Sequence, residues 1–438
     1  MTTHLVQFTL ARRVLSARRV LSALFVAMLL LAPAGVAHAQ PAPPEPTPGV
    51  PDWRAQRLPD FDSLAPLACD PDGRQASGAV YRICMPANWN GALLVYAHGY
   101  VSPAQPIAIP EGQLGLPGGP TLPDIANFLG FALATTSYRD NGLVVLPALD
   151  DLVDLVRIFG ETKGKPTRVL LAGVSEGGLI VTLAIERFPD VFDGGLALCG
   201  PYGSMAGQID YFGDFRVVFD YFFPGLLPGT AVEIPPSLLS TWETSYYTDT
   251  VRPVLVDPAN AGKVDQLLAA AHAPWNAGDP ATRLATAADL LWYNVFATND
   301  GTAKLGGQPF DNHARTYSGS ADDSALNQAV SRYTADAVTH AEIAAHYETS
   351  GRLTRPLVTV HTTGDPVVPY WHAVRYAAKT LSADNMALHR QLRVERYGHC
   401  SFTAFEVLGA FNTLQQMVQN PPPYTPVSRS YLPLVAVP

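Results

Sequence analysis

Thr167 to Glu186 reads TRVLLAGVSEGGLIVTLAIE. Thr167 to Ala172 is a short, β-rich apolar run of the kind that makes a buried strand. Gly173-Val174-Ser175-Glu176-Gly177 breaks it, and Gly178 to Arg187 resumes with helical spacing and no Pro. Strand, G-x-S-x-G, helix is the context that a nucleophile elbow requires. Small residues at 173 and 177 permit a turn in which a side chain would collide with neighbouring backbone. Such a turn presents the Ser175 hydroxyl at the strand tip and aims the first amides of the helix at the same spot, where they can hold a developing oxyanion. The plainer reading of the same letters is a helix capped by Ser175, its glycines serving only the turn. The flanking strand and helix favour the elbow.

Outward from this stretch, strands and helices alternate. Ala79 to Met85 reads as an early antiparallel strand, and Ala92 to Ala97 (ALLVYA) as a buried one. Phe131 to Ser137 is another strand, after a Gly/Pro-rich loop from Ser102 to Thr121. Pro147 to Phe159 carries Leu149, Leu152, Leu155, Val156 and Phe159 at helical spacing, with Asp150, Asp151 and Asp154 expected on an exposed face. Gly194 to Cys199, Pro356 to Thr362 and Leu392 to Tyr397 read as further strands, and Pro369 to Thr380 and Thr403 to Met417 as helices. This alternation predicts an α/β fold, a mostly parallel sheet with helices on both faces.

Between Gly200 and Arg355 the alternation stops. A stretch this long carries its own structure, and it reads as a helical cap, residues 201–354, inserted after the strand that ends near Cys199. It interrupts the sheet at the edge where ligands bind in open α/β sheets. Phe212, Phe215, Phe219 and Phe222 recur at helical spacing within Tyr211 to Pro224. They form either the cap's own core or a wall for substrate, and Phe212, Phe215 and Phe219 are the candidates for the latter. The core then comprises residues 53–200 and 355–438.

With 438 residues, 47% of them hydrophobic and 15% charged, the chain can bury a large core. Residues 1–39 have the features of an export signal: four arginines and no acid, an apolar run from Ala23 to Val36, and Ala37-His38-Ala39 as an A-x-A cleavage site. That run is too short to span a bilayer as a stop-transfer helix. Residues 40–52 (QPAPPEPTPGVPD) form a stiff proline-rich linker. Loss of residues 1–39 takes the net charge from −9 to −13, which argues against nucleic acid or anionic membrane as a partner. No other membrane span is evident. Tyr431 to Pro438 is an apolar tail readable as a surface strand or a sorting tag. Four cysteines in an exported chain favour disulfides over a metal site. Of their three pairings, Cys69 with Cys84 across a hairpin and Cys199 with Cys400 is the simplest. The first bridge would contribute roughly 3 kcal/mol by chain entropy.

A serine nucleophile needs a base, and the base needs an orienting acid. His399 lies just beyond a strand in RYGHCSF, late in the chain. His272, His313, His340 and His346 fall in the cap, His361 inside a strand, and His372 and His389 in or beside a helix. Asp365 stands in a Gly-Asp-Pro turn at the end of the strand over 356–362, and Asp193 and Asp210 are less well placed. An Asx turn is the local alternative for Asp365. The order Ser175, Asp365, His399 is that of an elbow serine and its partners. The second oxyanion donor is expected after the strand over 92–97, from the Tyr100 backbone N–H, joining that of Glu176. His98 is expected to orient this loop, and the Glu176 side chain to be a solvated carboxylate.

Four motifs together, YAHGY at 96–100, GVSEGG at 173–178, TTGDPVVP at 362–369 and YGHC at 397–400, resemble the secreted serine esterase and lipase branch of the α/β-hydrolases. The resemblance covers about residues 79–200 and 355–420. It implies hydrolysis of a small-molecule or polymeric carboxylic ester through an acyl-enzyme, with no cofactor and no metal. There is no HGGG, unlike the hormone-sensitive-lipase-like branch, and SYRDNG at 137–142 resembles a loop of uncharacterised secreted members. Cys400 beside His399 is similar to tannase and feruloyl esterase, although no Cys adjoins Ser175. Prolyl-peptidase relatives share the core and a helical cap, whose acids would here be sought among Glu233, Glu243 and Glu342. A binding protein on the same scaffold is the remaining class.

Overall fold

The computed structural model describes residues 67–116 and 119–421. The expected export signal, proline-rich linker and apolar tail lie outside the described residues. Among the described residues nine strands form one sheet: β1 (Ala68–Cys69), β2 (Gly73–Arg74), β3 (Val80–Met85), β4 (Ala92–Ala97), β5 (Ala132–Thr136), β6 (Arg168–Val174), β7 (Gly194–Leu198), β8 (Leu357–Gly364) and β9 (His389–Tyr397). Their order is β1-β3-β5-β4-β6-β7-β8-β9, with β2 paired to β3. β3 runs antiparallel to β5, and every pairing from β5 across to β9 is parallel.

Buried strands explain the near-continuous apolar runs, because both faces of the sheet are covered. Along β4, Leu93, Val95 and Ala97 pack on one face with Leu152, Leu155 and Ile180. Leu94 and Tyr96 pack on the other with Leu170, Leu196 and Phe411. The covering helices are α1 (Leu122–Leu129), α2 (Val145–Lys163) and α3 (Glu176–Arg187) in the first half. The sheet order reverses about β4: the chain leaves it for β5 on one side and returns to β6 on the other. Ligands bind beyond the strand ends at such a switch point, and here those ends are His98 to Val101 and Ser175. This topology, with a strand–turn–helix at Ser175, is the α/β-hydrolase fold.

Between β7 and β8 the chain forms helices, chiefly α4 (Met205–Phe222), α5 (Ala261–Ala270) and α6 (Ala281–Leu305). They enclose an apolar cluster of their own that includes Phe215, Phe219, Leu267, Leu290 and Val295. The core is completed by α7 (Trp371–Ser382) and α8 (Ala404–Gln419), the latter opened by a Thr403–Glu406 capping box. Among the described residues no helix is long and apolar enough to cross a membrane.

One expected surface feature is corrected. α2 begins at Val145, so Asp150, Asp151 and Asp154 lie beyond its first turn, and Asp151 is 1% exposed rather than on a solvated face. Its carboxylate binds Arg139 Nη2 at 2.7 Å and accepts the Arg139 backbone N–H at 2.8 Å, tying SYRDNG to α2. Two disulfides are present, Cys69–Cys84 between directly opposed residues of β1 and β3, and Cys199–Cys400.

Candidate active site

The turn after β6 holds Ser175 at φ 55°, ψ −125°, a region that a side chain rarely occupies. Its closeness to neighbouring backbone explains the flanking glycines. A Cβ on Gly173 would stand 2.6 Å from the Gly177 carbonyl oxygen and 2.7 Å from that of Ala97, and one on Gly177 would strike Ala97 directly. The Ser175 N–H donates to the Leu198 carbonyl at 2.9 Å, fastening the elbow to β7.

The structure brings Ser175, His399 and Asp365 together across 224 and 34 residues of chain. The Ser175 hydroxyl lies 2.9 Å from His399 Nε2, and His399 Nδ1 lies 2.8 Å from Asp365 Oδ2. His399 rides on the loop after β9, between Gly398 at φ 115° and Cys400, whose disulfide fastens that loop to the end of β7. Asp365 is fully buried, and its Oδ1 accepts the Val367 and Val368 amides at 2.9 Å each. The Asx turn and the contact with His399 are therefore not alternatives. One carboxylate makes both, and the turn aims it.

The remaining histidines of the core are occupied elsewhere. His361 bonds the Tyr202 hydroxyl and the Val368 carbonyl, His372 bonds Gln208, and His389 bonds Thr359. Of the rival acids, Asp193 accepts the Val169 amide and Asp210 pairs with Arg315.

Glu176 opens α3, so its N–H has no carbonyl one turn earlier and is available beside Ser175. Tyr100 borders the same space. Gln113, which nothing in the sequence marked, brackets the peptide that carries the Tyr100 N–H: its Oε1 accepts the Gly99 N–H at 2.7 Å, and its Nε2 donates to the Tyr100 carbonyl at 3.2 Å. SYRDNG brackets the same segment. The Tyr138 hydroxyl donates to the His98 carbonyl at 3.1 Å, and the Gly142 N–H donates to that of Val101 at 2.8 Å. His98 stacks on the Tyr138 ring with centroids 4.0 Å apart, and burial lowers its pKa to about 4, so it packs as a neutral ring.

The Glu176 side chain departs from expectation. It is 7% exposed rather than solvated, because the loop before α2 closes over it, and the Val144 amide donates to its Oε1 at 3.2 Å. Burial pushes this carboxyl up from 4.5 to about 8, while the Val144 bond and nearby Lys304 pull the other way. A carboxyl raised on folding stabilises the fold below its unfolded pKa, and that stability is lost as pH rises through the folded value. Glu176→Gln keeps an oxygen for Val144 and removes the charge. It is expected to melt with wild type at pH 4 and about 2–5 °C above it at pH 9. Equal melting temperatures at both pH values would rule out a buried neutral carboxyl.

Of the candidate substrate-wall aromatics, Phe212 alone borders the cleft above Ser175. It stacks on Tyr293 of α6, with ring centroids 5.0 Å apart and planes 4° apart. Phe215 and Phe219 are fully buried in the insertion's own cluster and are corrected to core residues. Tyr293, also missed, lies in a helical segment without any motif and borders the space on both sides of Ser175.

No protein-family model matches the chain, and no curated protein matches it. Among solved structures it is similar to an acylaminoacyl peptidase in complex with Z-Gly-Gly-Phe-chloromethyl ketone, at 10% identity and TM-score 0.42, covering 82% of this chain and 42% of that one. It is similar also to feruloyl esterase B from Aspergillus oryzae, at 13% identity and TM-score 0.43, covering 80% and 79%. An esterase from Aspergillus oryzae matches at 15% identity and TM-score 0.42, covering 78% and 77%. The chain thus spans less than half the length of the peptidase. The fold itself follows from the strand order and the elbow.

Proposed function

We propose that the protein is a serine hydrolase that cleaves carboxylic esters through an acyl-enzyme, with the helical insertion serving as a cap over the site. The observation that carries this reading is the unbroken line from the Ser175 hydroxyl through His399 to buried Asp365. Ser175 Oγ attacks the ester carbonyl while its proton passes to His399 Nε2, and Asp365 stabilises the imidazolium. The tetrahedral oxyanion takes the Tyr100 and Glu176 amides. Collapse breaks the bond to the alcohol oxygen, which leaves with the proton from His399. Water then adds to the acyl-enzyme, giving its proton to His399, and the acid departs as Ser175 regains a proton.

An ester suits the site better than a peptide with a free amino terminus. An ammonium group needs an ionised acid near Ser175, yet Glu233, Glu243 and Glu342 are absent from the described residues that line the cleft, and Asp289, whose charge reaches His399, lines neither space. Glu243 instead accepts the Trp292 indole N–H. Glu176 does line it, but burial holds its proton on up to about pH 8. Incubation with a fluorophosphonate is expected to stop hydrolysis of p-nitrophenyl butyrate and to leave one adduct, on the peptide that carries Ser175. Full activity after such treatment, or an adduct elsewhere, would refute the assignment.

A further inference from the structure

Two separate apolar spaces open from Ser175. One lies under the helical insertion and is lined by Leu179, Met205, Phe212, Ala297 and Phe310 among others. The other runs down against the sheet between β4, β7 and α8, past Leu94, Leu196, Leu198, Leu408 and Phe411. Tyr100, Ser175 and Tyr293 are the three residues common to both linings. An ester whose carbonyl carbon sits at Ser175 can send one of its two halves into each space.

We propose that the sheet-side space takes the leaving alcohol and the insertion-side space the acyl chain, so that the substrate is an ester joining two apolar groups. This inference rests on the ester-hydrolase reading above. The direction follows from the place of His399, which borders the sheet-side space and not the other. The proton that His399 takes from Ser175 must be handed to the leaving oxygen, so that oxygen has to come within hydrogen-bond reach of Nε2. The carbon chain on that oxygen then continues past His399 toward Leu408 and Phe411. The acyl chain stays bonded to Ser175 Oγ and points the other way, past Leu179 toward Phe212.

Composition of the walls fixes the chemical class. The sheet-side lining has no Asp, Glu, Lys or Arg among the described residues, and Gln113 within it is already engaged with Gly99 and Tyr100. The insertion-side lining has Glu176 as its one acid and no Lys or Arg. A sugar or a peptide backbone buried in the sheet-side space would lose its bonds to water without replacement, and the insertion-side space offers, among the described residues, only Glu176 Oε2 and Thr302 Oγ1 as buried side-chain polar atoms without a partner, whereas alkyl or aryl groups gain by leaving water.

The test compares hexyl acetate, long on the alcohol side, with methyl heptanoate, long on the acyl side. Each space is narrowed in turn by Leu408→Trp and by Ala297→Trp. The quantity read is the ratio of kcat/KM for hexyl acetate to that for methyl heptanoate. It is expected to fall ~10-fold in Leu408→Trp and to rise ~10-fold in Ala297→Trp, since each blocked space excludes several methylenes. Movement in the opposite senses, or no movement in either variant, would overturn the assignment of the two spaces. If thermal unfolding shows that a Trp variant does not fold, Leu408→Phe and Ala297→Leu supply the same ratio. Cleavage of both esters by wild type and not by Ser175→Ala, with an unmoved ratio, removes this inference alone. Cleavage of neither ester by wild type removes the hydrolase reading with it.

Discussion

Ser175→Ala is expected to lower kcat on p-nitrophenyl butyrate by about 10⁴–10⁶, the loss found when a serine nucleophile that works as one unit with its base is removed. What remains would come from the amides around the cleft, which hold a hydrated or attacked carbonyl whether or not Oγ is present. The substitution deletes one atom and leaves the elbow intact, because the tightness of the turn resides in Gly173 and Gly177. The fold should therefore melt as wild type does. Ser175→Gly is the sharper companion. The backbone at φ 55°, ψ −125° disfavours any side chain, and Gly relieves that cost, which for such regions is about 1–3 kcal/mol. This variant is expected to be as inactive as Ser175→Ala and yet to melt above wild type. Two inactive proteins, one of them more stable than the parent, would show that strain is kept at Ser175 for presenting the hydroxyl. Turnover within tenfold of wild type in either variant would end the proposal that Ser175 is the nucleophile.

The residues that decide the fold were legible because their signals are local. A β-rich run ending in G-x-S-x-G and continuing as a helix has few other ways to fold, and β6 and α3 occupy Arg168–Val174 and Glu176–Arg187. Asp365 and His399 could be found because each follows a strand by a few residues at a turn. Burial of polar side chains was less legible. Asp151 and Glu176 look like surface acids by composition, and only tertiary packing against Arg139 and Val144 shows that they are interior. The same holds for Gln113. Its importance comes from two bonds to a segment 13 and 14 residues earlier, and a loop rich in Gly and Pro carries no periodicity from which to infer them. In the insertion, helical spacing correctly signalled a helix over Phe212 to Phe222 but could not say which face meets the cleft. Phe212 and Phe215 are three residues apart, and a turn of that size separates the wall of a cleft from the centre of a core.

Asp365→Asn is the second substitution expected to abolish most activity, by about 10³–10⁴ in kcat, while the fold survives. The carboxylate has two duties on its two oxygens. Oδ1 accepts the Val367 and Val368 amides and lies 3.0 Å from His399 Nδ1, and Oδ2 lies nearer to that nitrogen, at 2.8 Å. Asn can keep the first duty, since its carbonyl oxygen accepts the same two amides and preserves the turn. It then presents an NH₂ group to His399 Nδ1, which turns that nitrogen into an acceptor and places the imidazole proton on Nε2. A protonated Nε2 cannot take the proton of Ser175. Asp365→Ala removes both duties. It leaves two buried amides without a partner, at about 1–3 kcal/mol each, so it should lower the melting temperature as well as the rate. Comparing the two variants separates orientation of His399 from integrity of the turn. If the Asp365→Asn variant retained wild-type kcat, Asp365 would be a turn residue alone, and the acid that serves His399 would have to be sought elsewhere. If that variant lost activity only in step with its melting temperature, the loss would belong to folding. A stably folded, inactive Asp365→Asn variant is the expected result, because the two amides that hold Asp365 in place are indifferent to which oxygen-bearing side chain accepts them.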